Sequence, residues 1–347
     1  MKRKIGILIF LALAAGGSLL AQSQPAPLTE KELVDLIRQN KKDLQPASKE
    51  VTGRGVDFEL DSDIEKKLRK AGADDPLIEV IKNAGPAARA AQKSQLTGQG
   101  PGQQLQGSPE EIQAYQAIQT ELDPDREVQM VTDFEKKFPN SAQLSYAYAF
   151  AANAYQQKGE IERVVEYGAK SLKLKEDNLP SLIIMADMLP QPQMMRGNEI
   201  DKEKKLAEAE KYANRALQLI EQLPRQPNET DEQFQKRKTQ ISTEPHSALG
   251  MVHLQRSAMA LEAPDPDELA KAAQEYKTAV SLADRPNPQD YYRLGEAYGL
   301  LKKLDEAMEA FSKASELGQG TVLKTYADER IEDLKKRKSQ GTSPAKP

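Results

Sequence analysis

Between Tyr291 and Ala314 the chain sets down a spacing that leaves little choice of fold: Tyr291, Leu294-Gly295, Tyr298, Ala307, Phe311, Ala314. Two antiparallel helices pack closely only where small side chains let the backbones approach, and Gly295, Ala307 and Ala314 are such places. Tyr298 and Phe311 fill the space beside them. The same order recurs at Tyr148, Ala151-Ala152, Tyr155, Val164, Gly168 and Ser171, with Gly159 at the turn. A looser copy runs from Leu182 through Met185-Ala186 and Leu189 to Ala209, Ala213 and Ala216, across an inserted "PQPQMMRGNEID". Ahead of these, "PEEIQAYQAIQ" and "EVQMVTDFEKKFPNS" predict a degenerate helical pair ending at Pro139.

This order of aromatic, Leu-Gly, Tyr, Ala, Phe and Ala resembles the tetratricopeptide repeat, with Gln319 where the closing Pro is expected. The resemblance covers about two thirds of the chain. It implies an all-α, right-handed helical solenoid over residues 108–338. The repeats fall at about 108–141, 145–178, 179–223, 243–286 and 288–321, followed by a C-terminal helix. It implies a binding scaffold rather than a reaction. The first helix of each pair lines a concave face that holds a peptide or protein partner.

In that family's geometry the side chains one and five places after the leading aromatic point into the groove. Here they are Ala149 and Asn153, Ile183 and Asp187, Ser247 and Met251, and Tyr292 and Glu296, with Tyr146 on the same surface. This set contains no Lys or Arg. Such a groove suits an internal segment or a folded partner with basic residues near Asp187 and Glu296 better than a free C-terminal carboxylate. Two other readings stand beside it. The same residues coat a solvated wall, or binding belongs to the inserted loops around Met194 and Met195 or to the N-terminal module.

Both histidines of the chain lie in "HSALGMVH". In the repeat register His246 takes the place of Tyr291 and His253 that of Tyr298; Ala272, Tyr276 and Ala279 follow after an insertion around "EAPDPDE". A helix rises ~1.5 Å per residue, so the two rings stand roughly 10 Å apart along the axis. One zinc ion at ~2 Å from each nitrogen does not span that gap. The pair therefore reads as packing residues of a repeat.

The N-terminus, "MKRKIGILIFLALAAGGSLLAQSQ", puts three cations before an apolar run and small residues after it. That is the layout of a secretory signal peptide over 1–21, cleaved after Ala21, and it predicts an exported protein, periplasmic or extracellular. The alternative is an uncleaved anchor, although the run falls short of the roughly 20 apolar residues of a spanning helix, and no stable membrane insertion is expected after cleavage. The chain has no cysteine, so no disulfide and no lipidated Cys is available. Residues 28–85 predict a small helical module. Its signals are the capping box Thr29 to Glu32, a cap at Asp61 or Ser62, Pro76 in a first turn, and the stops Gly72 and Gly85. "GRGVDFEL" within it is either extended or a loop. Residues 86–107, rich in Gln, Gly and Ser, bury too little apolar surface to order themselves and read as a disordered linker; 339–347 read as a disordered tail.

The net charge is −4, and more negative still without Lys2, Arg3 and Lys4. No field attracts phosphate, so nucleic acid is not an expected partner. "GQGPG" lacks the flanking strand and helix of a phosphate loop. No cofactor and no metal set is expected, and the carboxylates of "ADERIED" read as a solvated face. "KKRK" at Lys335–Lys338 meets either acidic polymer and headgroups or simply its own helix dipole. Asn228-Glu229-Thr230 has the form of a glycosylation triplet. The leading reading is a non-enzymatic interaction scaffold of the bacterial envelope. A cofactor for assembling or stabilising an envelope complex comes second, and an enzyme with an unrecognised site third.

Overall fold

The computed structural model describes residues 27–86 and 105–341, apart from Lys42, Leu122, Pro227, Asn228, Leu261 and Glu262. The expected export segment, nearly all of the expected linker, Asn228 of the glycosylation triplet and the last six residues of the tail lie outside them. Among the described residues there are fifteen helices and no strand, so the fold is all-α.

The N-terminal module holds four helices: α1 (Glu30–Gln39), α2 (Gln45–Arg54), α3 (Ser62–Ala71) and α4 (Asp75–Lys82). The caps are those the sequence signals. Thr29 Oγ1 accepts from Glu32 N–H at 3.2 Å while Glu32 accepts from Thr29 N–H at 2.8 Å. Of the two candidates for the α3 cap it is Asp61 that accepts, from Asp63 and Ile64 N–H. Asp74 caps α4 through Leu77 N–H. Leu33, Ile37, Leu68, Leu77 and Ile81 are closed off from solvent. Each such side chain contributes about 1.5–3 kcal/mol. "GRGVDFEL" is neither strand nor free loop: Val56 makes one isolated parallel bridge with Leu28, and its N–H donates to the Ala84 carbonyl.

The remaining helices come in hairpins: α5 (Pro109–Thr120), α6 (Pro124–Lys137), α7 (Leu144–Lys158), α8 (Ile161–Leu174), α9 (Leu179–Met188), α10 (Glu199–Glu221), α11 (Asp231–Ala258), α12 (Pro266–Leu282), α13 (Pro288–Leu300), α14 (Leu304–Leu317) and α15 (Val322–Gly341). Two compact units divide the chain. One holds residues up to Ile184 together with Gln222–Phe234; the other holds Met185–Glu221 and everything from Gln235 on.

In the first of these units, α7 and α8 form the expected hairpin. It turns on Gly159 in the left-handed conformation, φ 72°. Ala147, Ala151 and Ala154 are closed off entirely, and Tyr155 stacks at 5.2 Å from Tyr167. The small positions Ser145 and Ser171 do more than admit a neighbour. Ser171 Oγ donates to the Ser145 carbonyl at 2.7 Å, Asn178 Nδ2 donates to Ser145 Oγ at 2.7 Å, and Ser181 Oγ donates to Ser171 Oγ at 2.7 Å. A buried polar cluster satisfied in this way fixes one packing register.

In the second unit the repeat glycines stand against rings. A Cβ at Gly295 would lie 2.9 Å from the Phe311 ring, and one at Gly250 would lie 2.9 Å from the Tyr276 ring. Ala186, Ala213, Ala248 and Leu249 meet in one cluster, as the small residues of the two looser copies should.

The expected repeat at 243–286 is corrected at its start, because its first helix begins at Asp231. "DEQFQKRKTQIS" is rich in helix formers and continues unbroken through Pro245. Pro245 has no N–H to offer the Ile241 carbonyl. Ser242 Oγ bonds back to the Lys238 carbonyl one turn before it. At the other end α15 runs to Gly341, so the first residues of the expected tail are helical.

Candidate functional site

The second unit carries a group of polar side chains on the side of its hairpins formed by α9, α11 and α13. Asp187 stands at the end of α9, Glu244 and Ser247 on α11, and Asp290, Tyr292, Arg293 and Glu296 on α13. Ser247 Oγ donates to Asp290 Oδ1 at 2.6 Å, and Gln191 Nε2 donates to Asp187 Oδ1 at 3.1 Å. Arg293 donates to Glu296 at 2.8 Å, and Arg330 of α15 donates through Nε to Tyr292 Oη at 3.3 Å. The Tyr292 ring meets Phe311 edge-on at 5.2 Å.

The electrostatics of this group are unusual for a solvated wall. Burial, then the negative charge of Glu244, push the Asp187 carboxyl up to about 7. Burial also lifts Asp290 to about 7, aided by Glu244 and opposed by the Ser247 hydroxyl and the positive charge of Arg293. Glu244 is itself raised by the protein around it, yet its side chain remains open to solvent. Burial works against the charge of Arg293, but Glu296 and neighbouring groups outweigh it and hold the guanidinium ionised. Behind the wall, on α12, the Tyr276 hydroxyl is fully buried and makes no hydrogen bond. It lies within electrostatic reach of Arg293, Asp290, Glu296 and Asp187.

The expected groove residues divide. Asp187, Ser247, Tyr292 and Glu296 belong to this wall. Met251 does not: it is buried with Leu254, Leu269, Tyr276 and Leu294. Ala149 is likewise buried, on α7, because so short a side chain is covered by its neighbours. Asn153 is half-buried and accepts from Gln157 at 2.8 Å. Tyr146 bonds Lys175, whose ammonium also lies 4.6 Å from its ring centre. Ile183 is half-buried. The expected set itself has no Lys or Arg, but the structure sets cations beside it: Arg293, next to Tyr292, bonds Glu296, Arg330 of the C-terminal helix donates to Tyr292, and in the first unit Lys175, just after α8, bonds Tyr146.

Glu244, Tyr276, Asp290, Arg293 and Arg330 were not read as site residues. One signal was available: Tyr276 stands where the strongest repeat has Phe311, so the loose copy carries an extra hydroxyl. The histidines take separate partners on α12, His246 Nδ1 with Glu275 at 2.7 Å and His253 Nδ1 with Glu268 at 2.8 Å. Met194 and Met195 are half-buried, and the Met194 carbonyl accepts from Lys205. In "KKRK", Lys335, Lys336 and Lys338 each stand near a carboxylate, of Glu332, Asp333 and Asp305. No helix among the described residues is long and apolar enough to cross a membrane.

No protein-family model and no curated protein sequence matches the chain. Among solved structures it is similar to a thermophilic TPR protein of Thermus thermophilus. The identity is 16%, over 64% of this chain and 95% of that one, with a TM-score of 0.41. It is also similar to yeast Tom70, at 13% identity over 91% of this chain and 83% of that one, with a TM-score of 0.29. With both scores this low, the hairpins and the glycine–ring contacts of the chain itself carry the fold.

Proposed function

From a tetratricopeptide-type array of helical hairpins, we propose that this chain is a non-enzymatic scaffold of the bacterial envelope or periplasm. It holds a protein or peptide partner on the side formed by the first helices of its hairpins. The observation that carries this reading is the polar wall of the second unit. Asp290 and Arg293 are withdrawn from solvent yet do not belong to the apolar core, and Tyr292 stands beside them with its ring supported by Phe311. Half-buried aromatic and arginine side chains on a rigid support are the residue types that dominate protein interfaces. Export rests on the tripartite N-terminal sequence alone.

The test is co-purification from native envelope extract. Wild-type protein retains a partner that Tyr292→Ala loses, while circular dichroism shows the helices intact. A partner held equally by both proteins moves the site off this wall. Intact mass of the exported protein is expected to begin near Gln22; a mass retaining Met1–Ala21 in a membrane pellet overturns cleavage.

A further inference from the structure

The proposed scaffold leaves open whether its binding side is free, and the inference rests on that reading. In the second unit part of that side is taken by the chain itself. The segment inserted between α9 and α10 bridges the ends of α9 and α11. Gln191 Nε2 donates to the Asp187 carbonyl and to Asp187 Oδ1, both at 3.1 Å. Gln255 of α11 donates through Nε2 to the Pro190 carbonyl at 3.1 Å and lies 3.9 Å from Met251 Sδ. Lys205 of α10 holds the Met194 carbonyl. Asp187 and Met251 are the second groove positions that the repeat register assigns to α9 and α11. Gln255 stands one turn beyond Met251 on the same helix face. The insert therefore reaches the groove at both positions.

The insert is held as an occupant is held, not as a core element. Pro190 is buried, but no residue from Gln191 to Arg196 is. Its tethers to Gln255 and Lys205 run through backbone carbonyls, which any extended segment offers. Gln193 Oε1 is buried without a hydrogen-bond partner among the described residues, and an unmet acceptor weakens the closed arrangement. The far end of the insert is a defined pivot. Gly197 has φ 110°, a conformation open to glycine, and Asn198 Oδ1 then accepts from Asp201 N–H at 2.9 Å as α10 starts. Segments with few buried apolar contacts open at low free energy, and binding lids are drawn from them.

We propose that Gln191–Arg196 is an internal occupant of the groove, and that a partner segment binds at this end by displacing it. The contacts of the insert give the chemistry of that segment. It is an extended backbone that offers carbonyls to Gln255 Nε2 and Lys205 Nζ, with a side-chain amide for Asp187. A tethered occupant competes at an effective concentration on the order of millimolar, so a partner wins only by adding contacts elsewhere on the wall. Displacement also exposes Gln193 Oε1 to water, which restores its hydrogen bond.

The probe is the insert itself as a free peptide, acetyl-LPQPQMMRG-amide. It is titrated into full-length protein carrying labelled methionine methyls, observed by NMR. In a variant whose residues 191–196 are replaced by a Gly-Ser stretch of equal length, the peptide is expected to shift the Met251 methyl saturably. A scrambled peptide does not. Wild type, with its own insert seated, binds the peptide at least about tenfold more weakly. Gln255→Ala in the replaced variant weakens binding by up to about tenfold, the loss expected for one hydrogen bond. No Met251 shift in the replaced variant, equal affinity in wild type, or an affinity unmoved by Gln255→Ala overturns the proposal. A second reading uses the intact chain and does not depend on the replacement folding. The sequence has no cysteine, so Met194→Cys carries the only thiol. Its reaction with dithionitrobenzoate is expected to be slower than in urea-unfolded protein and to speed up by up to about tenfold with Gln255→Ala. A rate equal to that of the unfolded chain, or one that Gln255→Ala leaves unchanged, means that the insert is not seated there and overturns the proposal as well. Partner capture that Tyr292→Ala abolishes, with no peptide response, leaves the scaffold reading standing and sinks only the internal occupant.

Discussion

Asp290 is 4% exposed, takes one hydroxyl donor from Ser247 and faces Glu244 of α11. Asp187 of α9, Tyr276 of α12 and Arg293 on its own helix complete its surroundings. Its ordinary value is 3.8, and in the fold it rises to about 7. An acid raised by folding is held in its neutral form. Its contribution to stability is whole below the unfolded value and is lost as pH rises through about 7. Asp187 adds to the same slope. Urea unfolding of the second unit should therefore show stability falling between pH 4 and pH 8. Asp290→Asn keeps an oxygen for the Ser247 hydroxyl and removes the titration, so it should flatten that slope and be more stable than wild type at pH 8, by up to roughly 4 kcal/mol for about three pKa units at ~1.4 kcal/mol each. A variant as steep as wild type would mean that Asp290 is ionised throughout. The histidines call for a simpler measurement. Each holds its own glutamate, Glu275 or Glu268, and zinc should leave the Tm unchanged. A zinc-dependent rise that His246→Phe abolishes would join them into one site.

Helices meet where the repeat puts its smallest residues, and two glycines on α13 separate packing from propensity. At Gly295 a methyl group would lie 2.9 Å from the Phe311 ring, while at Gly299 it would meet only Ala307 Cβ at 3.9 Å. Ala favours a helix over Gly by up to about 1 kcal/mol. Overpacking costs about 1–3 kcal/mol. Gly299→Ala should thus raise stability by about 0.5 kcal/mol and Gly295→Ala lower it by about 1–2 kcal/mol, read by denaturant midpoint at constant slope. Equal effects would mean that the ring moves aside freely. These same contacts explain what was legible beforehand. A hairpin joined by a short turn writes its small and aromatic positions into one local stretch, so α7–α8 and α13–α14 could be read directly. Helix α2 could not, because "QPASKEVTGR" has no side-chain cap and little apolar periodicity and is helical mainly through burial of Ala47 and Val51. The start of α11 was hidden by Pro245, which ordinarily ends a helix. The wall was half legible. Repeat register gave Asp187, Ser247, Tyr292 and Glu296, but it assigns Tyr276, on the second helix of its pair, to packing alone, and it says nothing of Arg330 two helices on.

In the whole molecule the N-terminal module has a core of its own. Every buried side chain of that core lies between Leu28 and Ala84, with Val34, Leu36, Leu44, Phe58, Leu60, Ile64 and Val80 packed at its edge. The repeat core of the second unit is assembled from other residues, Met251 to Ala310 around Tyr276 and Ala307 to Leu334 around Phe311. In a repeat array each hairpin depends on its neighbours, so damage at one contact spreads along the stack and stops where no shared core exists. Gly295→Ala strikes the Phe311 contact and is expected to loosen α12 to α15 together, because Tyr291 and Tyr298 border both clusters. Hydrogen exchange followed by mass spectrometry reads this directly. Peptides from α12 to α15 should exchange faster in the variant, by about tenfold for each 1.4 kcal/mol lost, while peptides covering Leu33, Ile37, Leu68 and Ile81 keep their wild-type rates. Faster exchange in the module as well would show that its stability is drawn from the repeats. In that case its closed core would not suffice to hold it folded.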